Sequence, residues 1–281
     1  MSKEFVIDAP AKLNLSLRVL RKREDGFHEI DSLMVRLPGL CDRLTVTEAA
    51  VDSFICDDPG VPGDATNLVL RAVAAYRSVS DSGVKFTIHL SKSIPHGAGL
   101  GGGSSDAAAT LSALDRFSAT PLGTARLMEI AATLGSDIPF FLGSPVARAT
   151  GRGEIIEAAP ALPTLPVLLL KPSFGVPTPD AYGRWKDAKE LHGVPYGPQV
   201  FPWGELVNDL ERPVFWKHLF LAEMKVWLLG RTEVAGAMMS GSGSTMFAVL
   251  HDLQGAETVA EAARRELDPT LWAWSGEIGA V

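Results

Sequence analysis

Five glycines fall between positions 97 and 103, in the run Pro95-His96-Gly97-Ala98-Gly99-Leu100-Gly101-Gly102-Gly103-Ser104-Ser105-Asp106. Glycine loses more conformational freedom on folding than any other residue, so a simple turn has no use for five of them. What such a run provides is backbone without Cβ atoms, which lets amide N–H groups approach a ligand closely. The residues that follow, Ala107, Leu111, Leu114 and Phe117, step by four, three and three, the spacing of an apolar helix stripe. A glycine loop that runs into a helix N-terminus is a cradle for an anion, because the free amides and the helix dipole both favour negative charge. Ser104 and Ser105 are expected at the N-cap, able to cap the helix or to donate a hydroxyl to a phosphate.

Two better-known glycine motifs are excluded. A Walker A loop needs a lysine after its glycines, and none is present. Gly97, Gly99 and Gly102 have the spacing of a dinucleotide fingerprint. The strand before them alternates, however, a Ser-Ile-Pro-His spacer intervenes, and position 122 is leucine where an acidic residue would hold a ribose. The chain contains neither a Gly-x-Ser-x-Gly elbow nor a His-Glu-x-x-His helix, which ranks hydrolase chemistry last. His89, His192, His218 and His251 lack metal-ligand spacing.

The net charge of −7 opposes nucleic acid and anionic membranes, so an anionic ligand must be held by local groups. The longest purely aliphatic run, Val167 to Leu170, is far short of a membrane span. Glu4 and Asp8 stand where a signal peptide would begin its apolar core. Cys41 and Cys56 are expected to be free thiols in a reducing cytosol, which makes the protein cytoplasmic.

Alternation predicts strands at 13–19, 44–47 and 84–91, in an antiparallel sheet wet on one face. Helices are expected from Ser104 and over Thr124–Leu134, the second ending on Gly135 as a left-handed cap. The Pro-rich bridge from Ala158 to Pro166 divides the 281 residues into domains 1–158 and 167–281. Positions 193–204 read as a surface loop. Positions 235–239 read as a helix, followed by a glycine turn at 240–244 and a strand at 245–250. The six tryptophans read as packing residues.

The glycine run, with Pro95 before it and Ser-Ser-Asp-Ala-Ala after it, resembles the phosphate loop of the GHMP kinases. Other segments agree in order: Ala9-Pro10-Ala11-Lys12-Leu13-Asn14-Leu15, Asp25-Gly26-Phe27-His28-Glu29, Leu134-Gly135-Ser136-Asp137-Ile138-Pro139, Gly151-Arg152-Gly153-Glu154, Val176-Pro177-Thr178-Pro179, Asn208-Asp209-Leu210-Glu211 and Ser240-Gly241-Ser242-Gly243-Ser244. Gly-Phe-His-Glu and Asn-Asp-Leu-Glu are most similar to the branch that phosphorylates 4-diphosphocytidyl-2-C-methyl-D-erythritol. The resemblance implies a two-domain α+β fold, with an N-terminal half like ribosomal protein S5 domain 2 and a ferredoxin-like C-terminal half. It implies a small-molecule kinase, monomeric or weakly dimeric, that uses ATP and the Mg2+ it brings. Mevalonate or homoserine kinase activity, and a non-catalytic nucleotide-binding regulator, are the alternatives.

Alternation places Lys12 and Asn14 on one face of a strand, opposite Leu13 and Leu15. By itself Lys12 reads as a solvated lysine. The resemblance makes it a cation on the moving phosphoryl group, paired with Asp137. Asp137 by itself is equally a helix cap or a base; the resemblance makes it the acceptor of the C2-hydroxyl proton. It further implies that Pro95, Gly97, Gly99, Leu100, Gly101, Gly102, Gly103, Ser104 and Ser105 hold the nucleotide, with Asn67 and Lys92 near the adenine. Ser105 is the suggested magnesium contact. Asn14, Phe27, His28, Thr178 and Tyr182 are implied for the acceptor, with Phe27 and Tyr182 sandwiching the cytosine and His28 bonding its polar edge. Phe27 replaces the family's usual tyrosine, and Ser136 its usual alanine.

Overall fold

The computed structural model describes residues 3–80 and 83–279. Met1 and Ser2, where the N-terminal reading begins, and the last two residues of the second domain lie outside them. The first half contains β1 (Glu4–Lys22), β2 (His28–Ala49), β3 (Ser53–Cys56), α1 (Leu68–Arg77), β4 (Lys85–Ser91), α2 (Gly102–Phe117), α3 (Thr124–Leu134), β5 (Val146–Thr150) and β6 (Ile155–Ala158). The second half contains β7 (Leu165–Lys171), α4 (Thr178–Gly183), β8 (Gln199–Phe201), β9 (Gly204–Asn208), α5 (Glu211–Lys217), α6 (Leu219–Leu229), β10 (Val234–Met239), β11 (Met246–Leu250), α7 (Gly255–Glu266) and β12 (Trp272–Ile278).

The predicted strands are all present, two of them as parts of much longer ones. β4 alternates as expected, with Phe86, Ile88 and Leu90 buried. The larger sheet runs β3-β4-β2-β1-β9-β8, with β5 and β6 branching from β2. It is not wholly antiparallel, because β3 pairs with β4 and β9 with β1 in parallel. The smaller sheet has the order β10-β11-β7-β12, and each of its pairs is antiparallel. With α5 and α6 before β10 and α7 before β12, this is the ferredoxin-like arrangement.

One core lies between α1, α2, α3 and the larger sheet, and includes Val46, Ile88, Leu111 and Leu114. Burying each of these two leucines contributes about 1.5–3 kcal/mol. A second core fills the space between the sheets, where Leu13 and Leu15 of β1 meet Val167 and Leu169 of β7. A third lies under the helices of the second half. The glycine loop explains why Lys12 is not on a wet face. The leucine side of β1 is covered by the smaller sheet, and its Lys12 side by the glycine loop and Phe141.

Five local expectations are corrected. Residues 235–239 form strand β10, not a helix: Ala and Met are good helix formers, but the segment pairs with β11 and its last four residues are buried. Gly135 has φ −179, extended backbone rather than a left-handed cap. The N-cap of α2 is Gly101 at φ 73, which puts Ser104 and Ser105 inside its first turn. The segment 193–204 contains β8, which pairs with β9 and so joins the larger sheet. Not every tryptophan packs inside: Trp216 is 54% exposed, whereas Trp185 packs against the second-half core and its ring meets His28 edge-on at 5.8 Å.

Candidate active site

A cleft of about 810 Å³ opens between the glycine loop and the segments after β7 and β10. The loop approaches Gly97, Gly99 and Gly101 at φ between 63 and 74, a left-handed region that strongly favours glycine. Lys12 N–H donates to Leu100 O at 2.9 Å, which ties the loop to β1. From the other side, Thr245 N–H donates to Ala98 O at 3.2 Å and the Ser240 hydroxyl to Gly99 O at 3.2 Å. A Cβ on Gly99 would stand 2.3 Å from Ser240 O, so the two glycine motifs touch backbone to backbone. The first intrahelical bond of α2 is Ser105 N–H to Gly101 O. The amides of Gly102, Gly103 and Ser104 therefore have no partner within the helix.

The floor of the cleft carries the charged pair. Lys12 is only 4% exposed; its Nζ donates to Asn14 Oδ1 at 2.5 Å and lies 3.4 Å from Asp137 Oδ2. Asn14 in turn donates to the Ser32 hydroxyl at 2.8 Å, which fixes the amide with its oxygen toward Lys12. Asp137 is not a helix cap: Ile138 occupies that position, without a side-chain cap bond, before the 3₁₀ turn Pro139–Leu142. The Asp137 side chain is 37% exposed and lines the cleft.

At the outer end, the rings of His28 and Tyr182 lie 5.3 Å apart. Burial, and then the charge of Lys22, hold the His28 imidazole below its ordinary pKa. Burial, with Asp137 nearby, raises that of Tyr182. Phe27 is 49% exposed, and the Arg152 guanidinium lies over its ring at 4.9 Å. The Thr178 and Ser242 hydroxyls share a hydrogen bond at 2.9 Å, linking the start of α4 to the second glycine motif.

Asn67 and Lys92 line the cleft beyond Pro95, beside Val61, Pro62, Leu68 and Ile94. Both side chains are engaged. Asn67 caps α1, accepting from Val69 N–H at 2.8 Å and donating to Pro62 O at 2.7 Å. Lys92 is salt-bridged to Asp42 and, at 2.8 Å, to Asp106 of α2. Burial drives the Asp106 carboxyl pKa upward against the pull of Lys92, and one of its oxygens has no hydrogen-bond partner. Burial alone would lower Lys92, but the two carboxylates outweigh it and hold it up. Ser105 Oγ is buried and also unpartnered, whereas Ser104 lines the cleft.

Residues 67–144 match the family described as GHMP kinases N terminal domain, and residues 204–268 match GHMP kinases C terminal. A protein of Methylacidiphilum infernorum (isolate V4), named 4-diphosphocytidyl-2-C-methyl-D-erythritol kinase, is 38% identical over 269 residues, covering 94% of this chain and 93% of its own. The chain belongs to the GHMP kinase family. A chloroplastic relative of the same name from Mentha piperita is 37% identical over 86% of this chain and 62% of its own. A crystal structure of 4-(cytidine 5'-diphospho)-2C-methyl-D-erythritol kinase superposes with a TM-score of 0.80 at 34% identity, covering 99% of this chain and 100% of that one. The homoserine kinase of Cytophaga hutchinsonii, at 16% identity and a TM-score of 0.63, shares the fold. As in other GHMP kinases, ATP is the phosphoryl donor.

Several residues of this GHMP kinase site had no role assigned from the sequence. Arg152 and Ser242 lay within recognised segments, and Asp106 directly follows the two serines; each of these had a signal. Asp42 had none, being one carboxylate in a long strand. Among the described residues both cysteines are free, no group of three or more His, Cys, Asp or Glu could hold a metal ion, and no helix is long and apolar enough to cross a membrane.

Proposed function

We propose that the chain transfers the γ-phosphoryl group of ATP to the 2-hydroxyl of 4-diphosphocytidyl-2-C-methyl-D-erythritol, a step of non-mevalonate isoprenoid synthesis. The carrying observation is Lys12 Nζ at 3.4 Å from Asp137 Oδ2, at the floor of a cleft walled by two touching glycine motifs. Relatives of that name align along nearly the whole chain, which supports this acceptor over mevalonate or homoserine.

The glycine loop and the head of α2 receive the phosphates on free amides, with the adenine in the slot between Pro62, Leu68 and Ile94. Asn67 and Lys92 border that slot and hold its walls. The acceptor lies between the outer rings and Asp137, its base among Phe27, His28 and Tyr182 and its sugar chain near Thr178. The hydroxyl oxygen forms a bond to the γ-phosphorus as the bond to the β–γ bridging oxygen breaks and ADP leaves. Asp137 takes the proton. Lys12, oriented by Asn14, stabilises charge on the equatorial oxygens as it spreads in the transition state.

ATP would bring Mg2+ with it. A phosphate-bound Mg2+ would keep several waters and need few protein oxygens, so the lack of a ligand cluster among the described residues does not conflict with it. Ser104, and Ser105 with its unpartnered hydroxyl, fit that need and would hold it, and the ion would neutralise phosphate charge. The reading carries with it a cytoplasmic enzyme of two domains, 1–158 and 167–281, monomeric or weakly dimeric. The test is ADP release by purified protein with ATP and, separately, the cytidylated acceptor, mevalonate and homoserine. Turnover of the first alone is expected; turnover of mevalonate without the first overturns the reading.

A further inference from the structure

The segment Asn208-Asp209-Leu210-Glu211 lies outside the cleft, yet its three polar side chains are all hydrogen-bonded, Asn208 and Glu211 in the interior and Asp209 part-buried. The Asn208 amide donates to both Met239 O at 2.8 Å and Gly241 O at 2.7 Å, while its oxygen accepts from Leu210 N–H at 2.9 Å. Glu211, 1% exposed, accepts from Met239 N–H at 2.9 Å and pairs with Lys225, itself 2% exposed, at 2.5 Å. Together these bonds hold the entry to the turn that carries Gly241, Ser242 and Gly243, at Met239 and Gly241. The same segment also grips β1. Asp209 N–H donates to Leu17 O at 2.9 Å, and its carboxylate accepts from Val19 N–H at 2.9 Å. β9 itself pairs in parallel with β1 through Leu17 and Asn208.

β1 is the strand of Lys12 and Asn14. At the opposing turn, a Cβ on Gly241 would stand 3.2 Å from Asn14 Oδ1 and 3.4 Å from Lys12 Nζ. One short segment is thus bonded to both walls between which the phosphoryl group would move. We infer that Asn208, with Asp209 and Glu211, is a positioning element that sets the gap between Lys12 on β1 and the 240–244 turn. The inference rests on the phosphoryl-transfer reading above. A buried ion pair such as Glu211–Lys225 adds little net stability compared with apolar residues of the same volume. What serves the positioning is the acceptor that Glu211 offers Met239 N–H, which an uncharged amide oxygen at the same place would also supply. Displacement of about 1 Å at a reacting centre costs on the order of 10² in rate.

The test compares Asn208→Ala with the double variant Glu211→Gln/Lys225→Met. The double variant removes both buried charges but keeps an acceptor for Met239 N–H. For Asn208→Ala, kcat per folded molecule is expected to fall about 10–100-fold, with acceptor KM within about threefold. The double variant should keep kcat within about threefold of the original. Wild-type kcat per folded molecule in Asn208→Ala, with only a lower melting temperature, makes the segment purely structural and overturns the inference. So does an equal loss of kcat in the double variant. Amide exchange is a readout independent of the acceptor: residues 239–244 should exchange at least about tenfold faster in Asn208→Ala, with β11 unchanged. If the wild type fails to phosphorylate the cytidylated acceptor, the functional reading fails, and the exchange result still decides the positioning role.

Discussion

Lys12 and Asp137 approach to 3.4 Å although they come from segments distant in the sequence, one from β1 and one from the turn after α3. The environments of the two differ. Lys12 is enclosed by Asn14 and the glycine loop, while the Asp137 side chain is partly exposed and lines the cleft. A buried cation with fixed partners needs no reorganisation when charge develops next to it, and a partly exposed carboxylate can take a proton from outside the pair.

Asp137→Asn keeps the shape and removes the proton acceptor. Turnover should fall by about 10²–10⁴, with ADP affinity nearly unchanged by calorimetry. Near-normal turnover would leave Asp137 a structural residue.

Lys12→Met should lower kcat by about 10²–10³ by removing transition-state charge stabilisation. Because the two groups act as a unit, the double variant with Asp137→Asn should be little worse than the poorer single variant. Additive losses in single-turnover measurements would show independent roles.

Asp106 carries an upward-shifted carboxyl beside Lys92. A folded-state pKa raised above the ordinary 3.8 means the folded protein binds more protons there than the unfolded chain. That group's stabilising contribution is present at low pH and lost as pH rises through the folded-state value. Asp106→Asn should remove this dependence, so its melting temperature should gain on the wild type as pH rises from 4 to 8. Lys92→Met strands two buried carboxylates and should cost about 3–5 kcal/mol in denaturant unfolding.

His28 is shifted the other way, below its ordinary 6.5, by burial and Lys22. It is therefore neutral at and above neutrality in the folded protein, and protonating it in acid opposes the burial of the ring. Acceptor KM should be flat from pH 7 to 8.5 and rise only below 6.5. His28→Asn should abolish the acid rise without altering the ATP dependence.

Two glycines of the loop should respond oppositely to alanine. Gly99→Ala forces a left-handed φ of 74 on a Cβ and drives it into Ser240 O, so stability should fall by more than the ~1–2 kcal/mol of the backbone term alone. Gly103 has no left-handed φ, and the nearest atom to its Cβ is 3.6 Å away. Gly103→Ala should fold at least as well as the wild type. A drop in its ATP affinity by fluorescence titration would then locate the phosphates at the head of α2.

The glycine run, the alternation of β4 and the stripe of α2 are local patterns, so their physics is visible in the sequence. Five glycines need close backbone approach, and an apolar stripe needs a partner, whatever the rest of the chain does. The family segments extended that legibility to Lys12, Asp137 and His28. What lay beyond it is non-local. Residues 235–239 favour a helix by composition and became β10 because an antiparallel partner and burial outweighed a preference worth a few tenths of a kcal/mol per residue. Asp42 gave no signal in the sequence, since its meaning depends on Lys92 and Asp106 reaching it from other elements. The sequence by itself determined that a glycine loop would run into a helix start and leave backbone amides free there. Only the tertiary structure decided what stands opposite, because the spacing of Lys12, Asp137 and Gly241 is set by sheet pairing and buried hydrogen bonds between distant segments.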